Sequence, residues 1–198
     1  AYAQAREEVP EPDRGHLRDA LSLLRRVMSL DPQNVAAAET LLKLYQRCGM
    51  MAESLQLSQD VLAIDGKNQT ALESKAIALL NLGDKAKLPH SATTRPGASA
   101  LDVALQTSLH YNDLWPDDLE GQLLTLQILN RRDSSGKQES DRAAKLLAAA
   151  PSNPRFMLLM SVARADQRDF DGAKKYLTPV CSSPIPDARM LRIVVAQC

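Results

Sequence analysis

A repeat of 34 residues is the feature that most limits what this chain can fold into. The segment SLDPQN at positions 29–34 returns as AIDGKN at positions 63–68, and Gly49 and Gly83 keep the same interval. The Asp-Pro or Asp-Gly turns and the single glycines therefore repeat at the same interval of 34 residues. A period of this length is typical of helical hairpins stacked in an array, in which each repeat buries its apolar face against its neighbours.

The composition agrees with a packed helical protein and excludes several partners. Of the 198 residues, 44% are apolar and only 4% are aromatic. The 24 basic residues cancel the 24 acidic ones, so no overall field attracts the chain to nucleic acid or to an anionic membrane surface. No run of about 18 apolar residues is present, which predicts a soluble protein without membrane insertion.

Nothing in the sequence indicates catalysis or a cofactor. Cys48, Cys181 and Cys198 are too few for a disulfide framework, which predicts a cytoplasmic location. A periplasmic or secreted location is the alternative, if a signal peptide preceded Ala1. Because metal-ligand spacings, phosphate loops and nucleophile motifs are all missing, we expect no metal, no cofactor and no catalytic residue. Cys48 is expected to be packed and inert.

Apolar periodicity and turn residues divide the chain into helices. Residues 1–12 are expected to form a tail or a frayed helix, and a helical domain spans 13–198 with an irregular insertion at 84–99. Within that domain the expected helices cover 13–30, 35–48, 52–64, about 72–82, 100–114, 119–130, 140–150, 156–166 and 187–198. One further helix is expected to contain Ala173-x3-Leu177 and to be closed by Pro184 and Pro186. A polar loop is expected at 131–139, and Gly49 is expected to be a left-handed helix cap.

The pattern resembles the tetratricopeptide repeat. Helix A of the family carries a large-x2-Leu-small-x2-Tyr spacing, and helix B carries Ala-x3-Phe before a Pro. This sequence has Ala38-x2-Leu41-Leu42-x2-Tyr45 in one helix A and Ala20-x3-Leu24 followed by Pro32 in one helix B. The helix B that follows departs from the family, because Ser54 and Ser58 occupy the Ala and Phe positions. The resemblance covers about residues 14–198 and implies an all-α, right-handed superhelix of four to five antiparallel hairpins.

The resemblance also implies a function, which is non-catalytic binding of a peptide or helix from a protein partner in the concave groove of the A helices. The exposed A-helix positions that would line the groove are Glu39, Lys43, Gln46, Glu73, Ile77, Gln127, Asn130 and Arg155. Ordinary solvated side chains are the alternative interpretation. One subclass of the family binds a C-terminal carboxylate, but Glu39 and Glu73 would repel such a ligand. A basic or neutral peptide, or another helix, is expected instead.

Two other functions remain open from the sequence. One is homo-oligomerisation, for example as a homodimer, through an unpaired last helix at 187–198, which would expose Met190, Leu191, Ile193, Val194 and Val195. The other is a regulatory arm of a larger enzyme whose catalytic domain is outside this chain. The insertion at 84–99 is either a functional loop or a tolerated one.

Several conspicuous side chains have a structural interpretation. Tyr45 and Tyr111 are expected in the core. Trp115, the only tryptophan, either fills the join between two repeats or anchors an interface. The cluster of Asp117, Asp118 and Glu120 is better explained by capping of a helix than by catalysis.

Overall fold

A computed structural model describes residues 11–83, 98–133 and 135–181, with side chains from Gly15 onward. These residues form nine α-helices and no strand. The helices are α1 (Glu11–Leu30), α2 (Val35–Arg47), α3 (Met51–Ile64), α4 (Gln69–Leu82), α5 (Ala100–Leu114), α6 (Leu119–Arg132), α7 (Lys137–Ala149), α8 (Pro154–Asp166) and α9 (Phe170–Cys181).

The helices belong to two compact units. Unit 1 is Ala1–Arg95 and contains α1 to α4, and unit 2 is Pro96–Cys198 and contains α5 to α9. Within each unit, helices that are consecutive in the chain pack against each other. In addition, α2 packs on α4 in unit 1, and α6 packs on α8 in unit 2. Each unit therefore contains one pair of adjacent A-type helices.

An Asn or Asp N-cap begins each of the four A-type helices, which are α2, α4, α6 and α8. Asn34, Asn68, Asp118 and Asn153 precede α2, α4, α6 and α8, and each side chain accepts a hydrogen bond from a backbone N–H two or three residues later. Each N-cap N–H also donates to the carbonyl three residues before it. The caps are 34, 50 and 35 residues apart, so the four A-type helices keep the repeat register apart from 16 extra residues between the caps of α4 and α6, because 50 exceeds 34 by 16.

Equivalent positions after each N-cap build the core. The residues four, seven and eight positions later are buried or half-buried in all four helices: Ala38, Leu41 and Leu42; Leu72, Lys75 and Ala76; Gln122, Thr125 and Leu126; Met157, Met160 and Ser161. In unit 1 the buried cluster is Ala38, Leu42, Val61 and Ala71. Tyr45 and Tyr111 are buried, as predicted.

The turn between α2 and α3 and the turn between α8 and α9 share a geometry that the residue types only partly reveal. Gly49 has the predicted left-handed conformation, with φ of 70°. The turn between α8 and α9 has the same pair of backbone hydrogen bonds, but Arg168 occupies the left-handed position, with φ of 62°. A side chain with a Cβ is strained in this conformation, so residue type alone does not mark this turn.

Some expectations need correction. Helix α1 begins at Glu11, before the predicted cap Asp13, because a helix accommodates proline in its first turn. The loop predicted at 131–139 is shorter, since α6 continues to Arg132 and α7 begins at Lys137. Cys48 is exposed rather than packed, because it is the C-cap of α2. The residues 84–97 of the expected insertion and the helix expected at 187–198 lie outside the described residues.

The helix B that departs from the family gives a stability prediction. Ser54 and Ser58 of α3 are fully buried, but only the Ser58 hydroxyl has a partner, donating to the Leu55 carbonyl at 2.8 Å. Because a buried hydroxyl without a partner costs free energy, Ser54→Ala should stabilise the protein by about 1 kcal/mol. Urea unfolding followed by circular dichroism measures this, with Ser58→Ala as the matched control. An equal gain in both variants would contradict the explanation.

Candidate functional site

In unit 1, the predicted site residues lie on two adjacent A helices, as the register requires. Glu39, Lys43 and Gln46 are on α2, and Glu73 and Ile77 are on α4. Of the five, only Lys43 is exposed, and the others are half-buried.

Two of these side chains connect the neighbouring helices. Glu39 Oε1 accepts a hydrogen bond from the Asn68 side-chain amide at 2.7 Å, and Asn68 is itself the N-cap of α4. Gln46 Nε2 donates to Ser74 Oγ at 2.9 Å. Polar groups at the predicted binding positions therefore also fix the spacing of α2 and α4.

In unit 2, the predicted residues are divided between two helices. Gln127 and Asn130 lie in the second half of α6, and Arg155 lies in the first turn of α8; all three are half-buried. Arg155 Nη1 donates to the Asp117 carbonyl at 2.8 Å, which joins the first turn of α8 to the turn before α6. The guanidinium is thus held where these two A helices begin.

A cleft opens beside Arg155, between the starts of α6 and α8. Its volume is about 350 Å³, and its lining consists of Asp117, Leu119, Gln122, Asn153, Pro154, Arg155 and Phe156. Leu119, Pro154 and Phe156 supply apolar surface, while Arg155 and Asn153 supply hydrogen-bonding groups. Gln127 and Asn130 are outside this lining, so the structure brings only Arg155 of the three into the cleft.

The inner wall of the cleft is fixed by a buried amide. Gln122 is 3% exposed, and its Nε2 donates to the Pro116 carbonyl at 3.1 Å. Its Oε1 accepts from Arg142 Nη2 at 3.1 Å. Burial lowers the pKa of Arg142 from its usual value, although the guanidinium stays charged near neutral pH. Because both ends of Gln122 are bonded, this wall is preorganised.

Sequence reasoning missed most of the cleft. Phe156 was assigned only to a helix, and its partly buried ring packs against the core of unit 2. Phenylalanine occurs only twice in the chain. The presence of Phe156 in the first turn of an A helix is therefore the one sequence feature that indicates a binding position there. Leu119 carried no comparable signal, because it has the pattern of an ordinary core leucine.

One member of the acidic cluster has the predicted capping role. Asp118 is the N-cap of α6, accepting from the Glu120 N–H, and it also accepts a hydrogen bond from the Tyr111 hydroxyl. Trp115 packs against the Tyr111 ring, with centroids 4.9 Å apart. The Asp118 carboxylate therefore has a structural explanation, and Glu120 lies in the first turn of α6, where an acidic side chain is favourable.

A second cleft, of about 540 Å³, lies at the other end of the helix pair α7 and α8. It is open and polar, and it is lined by Ser135, Lys137, Ser140, Asp141, Asp166, Gln167 and Arg168. In α7, Glu139 is 1% exposed. Burial, the nearby charge of Asp166 and a hydrogen bond to the Asp166 carboxylate, which only the protonated Glu139 can donate, raise the pKa of Glu139 to about 8. Near neutral pH this carboxyl is mostly protonated.

The described ranges contain neither a metal-binding group of side chains nor a helix suited to crossing a membrane. Among residues 11–83, 98–133 and 135–181, no three His, Cys, Asp or Glu side chains come together in a group that could hold a metal ion. None of the helices found there combines the length and the apolar character needed to cross a membrane.

Comparison with known proteins identifies the fold. No protein-family model matches the sequence, and no curated protein matches it either. Solved structures do match. A tetratricopeptide repeat protein from Parabacteroides merdae is 15% identical, with a TM-score of 0.66, and the match covers 94% of this chain and 68% of that one.

Two further structures agree with the first. A thermophilic tetratricopeptide repeat protein from Thermus thermophilus is 14% identical, with a TM-score of 0.62, over 93% of this chain and 92% of the other. The protein pilF of Pseudomonas aeruginosa is 18% identical, with a TM-score of 0.58, over 93% and 77%. The chain therefore has the all-α solenoid fold of tetratricopeptide repeat proteins, as its 34-residue register predicts.

Proposed function

We propose that this chain is a non-catalytic scaffold that binds a peptide or helix of a protein partner on the A-helix faces of its repeats. The observation that carries the proposal is the cleft between the starts of α6 and α8. Its lining combines apolar side chains, a buried amide bonded at both ends and a few other polar groups, which is the usual composition of a recognition pocket.

The lining favours a peptide with one apolar anchor residue. Leu119 and Phe156 offer apolar contact, and Arg155 can bond a backbone carbonyl or a polar side chain next to the anchor. A volume of about 350 Å³ is at the small end of ligand pockets, which suits a side chain better than a whole cofactor. Buried aromatic and arginine residues are also the types that most often dominate binding energy.

The face of α2 and α4, within unit 1, is a second proposed binding surface. Glu39 and Glu73 place acidic groups on it, Lys43 is its exposed basic residue, and Ile77 adds apolar area. This mixture favours a basic or neutral segment over an acidic one. Glu39 and Gln46 contribute mainly by holding the two helices at a fixed spacing.

The experiment is a selection of displayed random peptides on the purified 198-residue protein, followed by affinity measurement on variants. Phe156→Ala and Arg155→Ala should each weaken the binding of an enriched peptide at least about tenfold, because each removes a side chain that lines the cleft. Lys145→Ala, at an exposed position on α7, is the control and should bind like the wild type. The fluorescence of Trp115 verifies that unit 2 is folded in each variant.

Three outcomes would contradict the proposal. The first is that no peptide is enriched over an unrelated helical protein. The second is that enriched peptides bind both cleft variants as tightly as the control. The third is equal weakening by Lys145→Ala, which would indicate nonspecific binding.

A further inference from the structure

Helix α1 has exposed apolar side chains on the side that faces away from the core of unit 1. The leucine and methionine side chains of its inner side are half-buried and recur every three or four positions, at Leu17, Leu21, Leu24 and Met28. Met28 packs against the core. Leu23 and Leu30 are 65% and 80% exposed. Because a helix turns by about 100° per residue, these two leucines share the outer side.

Two opposite charges flank Leu23 on this outer side. Asp19 stands four residues before Leu23, and Arg26 stands three residues after it. Both charged side chains are exposed, and spacings of three and four residues place them on the same side of the helix as Leu23. Within the part of the chain that the structure describes, neither Asp19 nor Arg26 forms an ion pair. The outer side therefore presents an acid, a leucine and a base, in that order along the helix.

This order is complementary to itself when the helix direction is reversed. A two-fold interface puts the same patch on both subunits, so that residue i contacts residue j and j contacts i. With the axis at Leu23, a second α1 runs antiparallel, the two Leu23 side chains meet, and each Asp19 faces Arg26 of the other copy. Parallel helices would place each charge beside its like, which is unfavourable. An antiparallel pair centred between Leu23 and Leu30 would bring the two Arg26 side chains together.

We propose that the outer side of α1 binds a second copy of this chain, in an antiparallel pair of α1 helices centred on Leu23. The two leucines form the apolar centre, and the two ion pairs between Asp19 and Arg26 fix the direction and register of the helices. One pair of helices buries less area than the roughly 1,200 Å² of stable complexes, so we expect a weak dimer. The cleft beside Arg155 is not part of this surface, and peptide binding there is tested independently.

Reversal of the charges tests the pairing directly. Sedimentation equilibrium of the full 198-residue chain, from about 10 µM to about 1 mM, should show a mass that rises from monomer towards dimer. Arg26→Asp and Asp19→Arg each place like charges opposite each other. Each should raise the dissociation constant of the dimer at least about tenfold. The chain that carries both substitutions again has opposite charges in facing positions and should associate like the wild type.

A mixture of the two single variants provides a second test. One variant then has two acidic residues at positions 19 and 26, and the other has two basic ones. An equimolar mixture should therefore form dimers of one chain of each kind, although neither variant associates well with itself. Lys145→Asp is the matched control, because it makes the same change of charge as Arg26→Asp at an exposed position of α7 in unit 2. It should associate like the wild type, and circular dichroism checks the helix content of every variant.

Three results would overturn the proposal. A wild-type chain that stays monomeric up to about 1 mM, well above the range of functional weak complexes, would show that α1 does not bind a second copy. Single variants that associate like the wild type would place the contact on another surface. If the doubly reversed chain and the mixture both fail to regain association, Asp19 does not face Arg26 of the second copy.

Discussion

Replacing Glu139 by glutamine should remove most of the loss of stability that unit 2 undergoes as pH rises from 4.5 to 8. Glu139 is buried in α7, and its pKa is raised to about 8 by burial, by the charge of Asp166 and by a hydrogen bond to the Asp166 carboxylate. A buried carboxyl in these surroundings is tolerated in its protonated form and is costly once ionised. Glutamine has nearly the same shape and stays neutral at every pH.

The sign of the effect follows from proton binding. The pKa of Glu139 is about 8 in the folded protein, against 4.5 for an ordinary glutamate, so between these values the folded state binds more protons than the unfolded state. Stability therefore falls as pH rises from 4.5 and levels off above 8. The whole decrease from this one group is about 5 kcal/mol, and about 4 kcal/mol of it falls between pH 4.5 and pH 9.

Urea unfolding followed by Trp115 fluorescence at several pH values measures this decrease in unit 2. The stability difference between Glu139→Gln and the wild type should grow by about 4 kcal/mol from pH 4.5 to pH 9. Asp141→Asn removes an exposed carboxylate from the same helix and should keep the wild-type pH profile. Asp166→Asn should lower the pKa of Glu139 only in part, because burial is the larger cause. Parallel profiles for Glu139→Gln and the wild type would disprove the argument.

The fold could be predicted from the sequence because its determinants are local. An N-cap, a turn proline and an apolar spacing each determine local structure within a few residues. Because the sequence repeats every 34 residues, each of these features occurs more than once and is easier to recognise. The prediction was less accurate where a repeated position holds an unusual residue type. Arg168 has the left-handed conformation that Gly49 has in the equivalent turn. Glu139 lies in α7, although the polar sequence around it predicts a loop.

The candidate site was harder to predict because it depends on pairs of residues far apart in the chain. The bond from Arg155 to the Asp117 carbonyl spans 38 residues, and Gln122 is fixed by Arg142, 20 residues away. Register alone placed Gln127 and Asn130 on the correct helix, but it could not show that the cleft lies at the other end of that helix. Nor could it show that Glu39 and Gln46 bond to the neighbouring helix.

Gly121 presents a case in which local propensity and packing predict opposite signs. In a helix interior, changing glycine to alanine normally stabilises a protein by about 0.5–1 kcal/mol. At Gly121 in α6, however, a methyl group would overlap the Tyr111 ring and would stand 2.8 Å from Asn112 Oδ1. Both neighbours are buried, and both are held by hydrogen bonds, from the Tyr111 hydroxyl to Asp118 and from Asn112 Nδ2 to Thr125 Oγ1.

Gly121→Ala should therefore destabilise unit 2 by about 2–3 kcal/mol, since the ring cannot move away without breaking these contacts. Gly15→Ala is the matched control, because Gly15 is an exposed helical glycine with no atom within 4 Å of the added methyl group. It should gain about 0.5–1 kcal/mol. Urea unfolding measures both, with Trp115 reporting directly on the Gly121 site because its ring packs on Tyr111. A gain at both glycines would mean that helix propensity outweighs the close packing of α5 on α6.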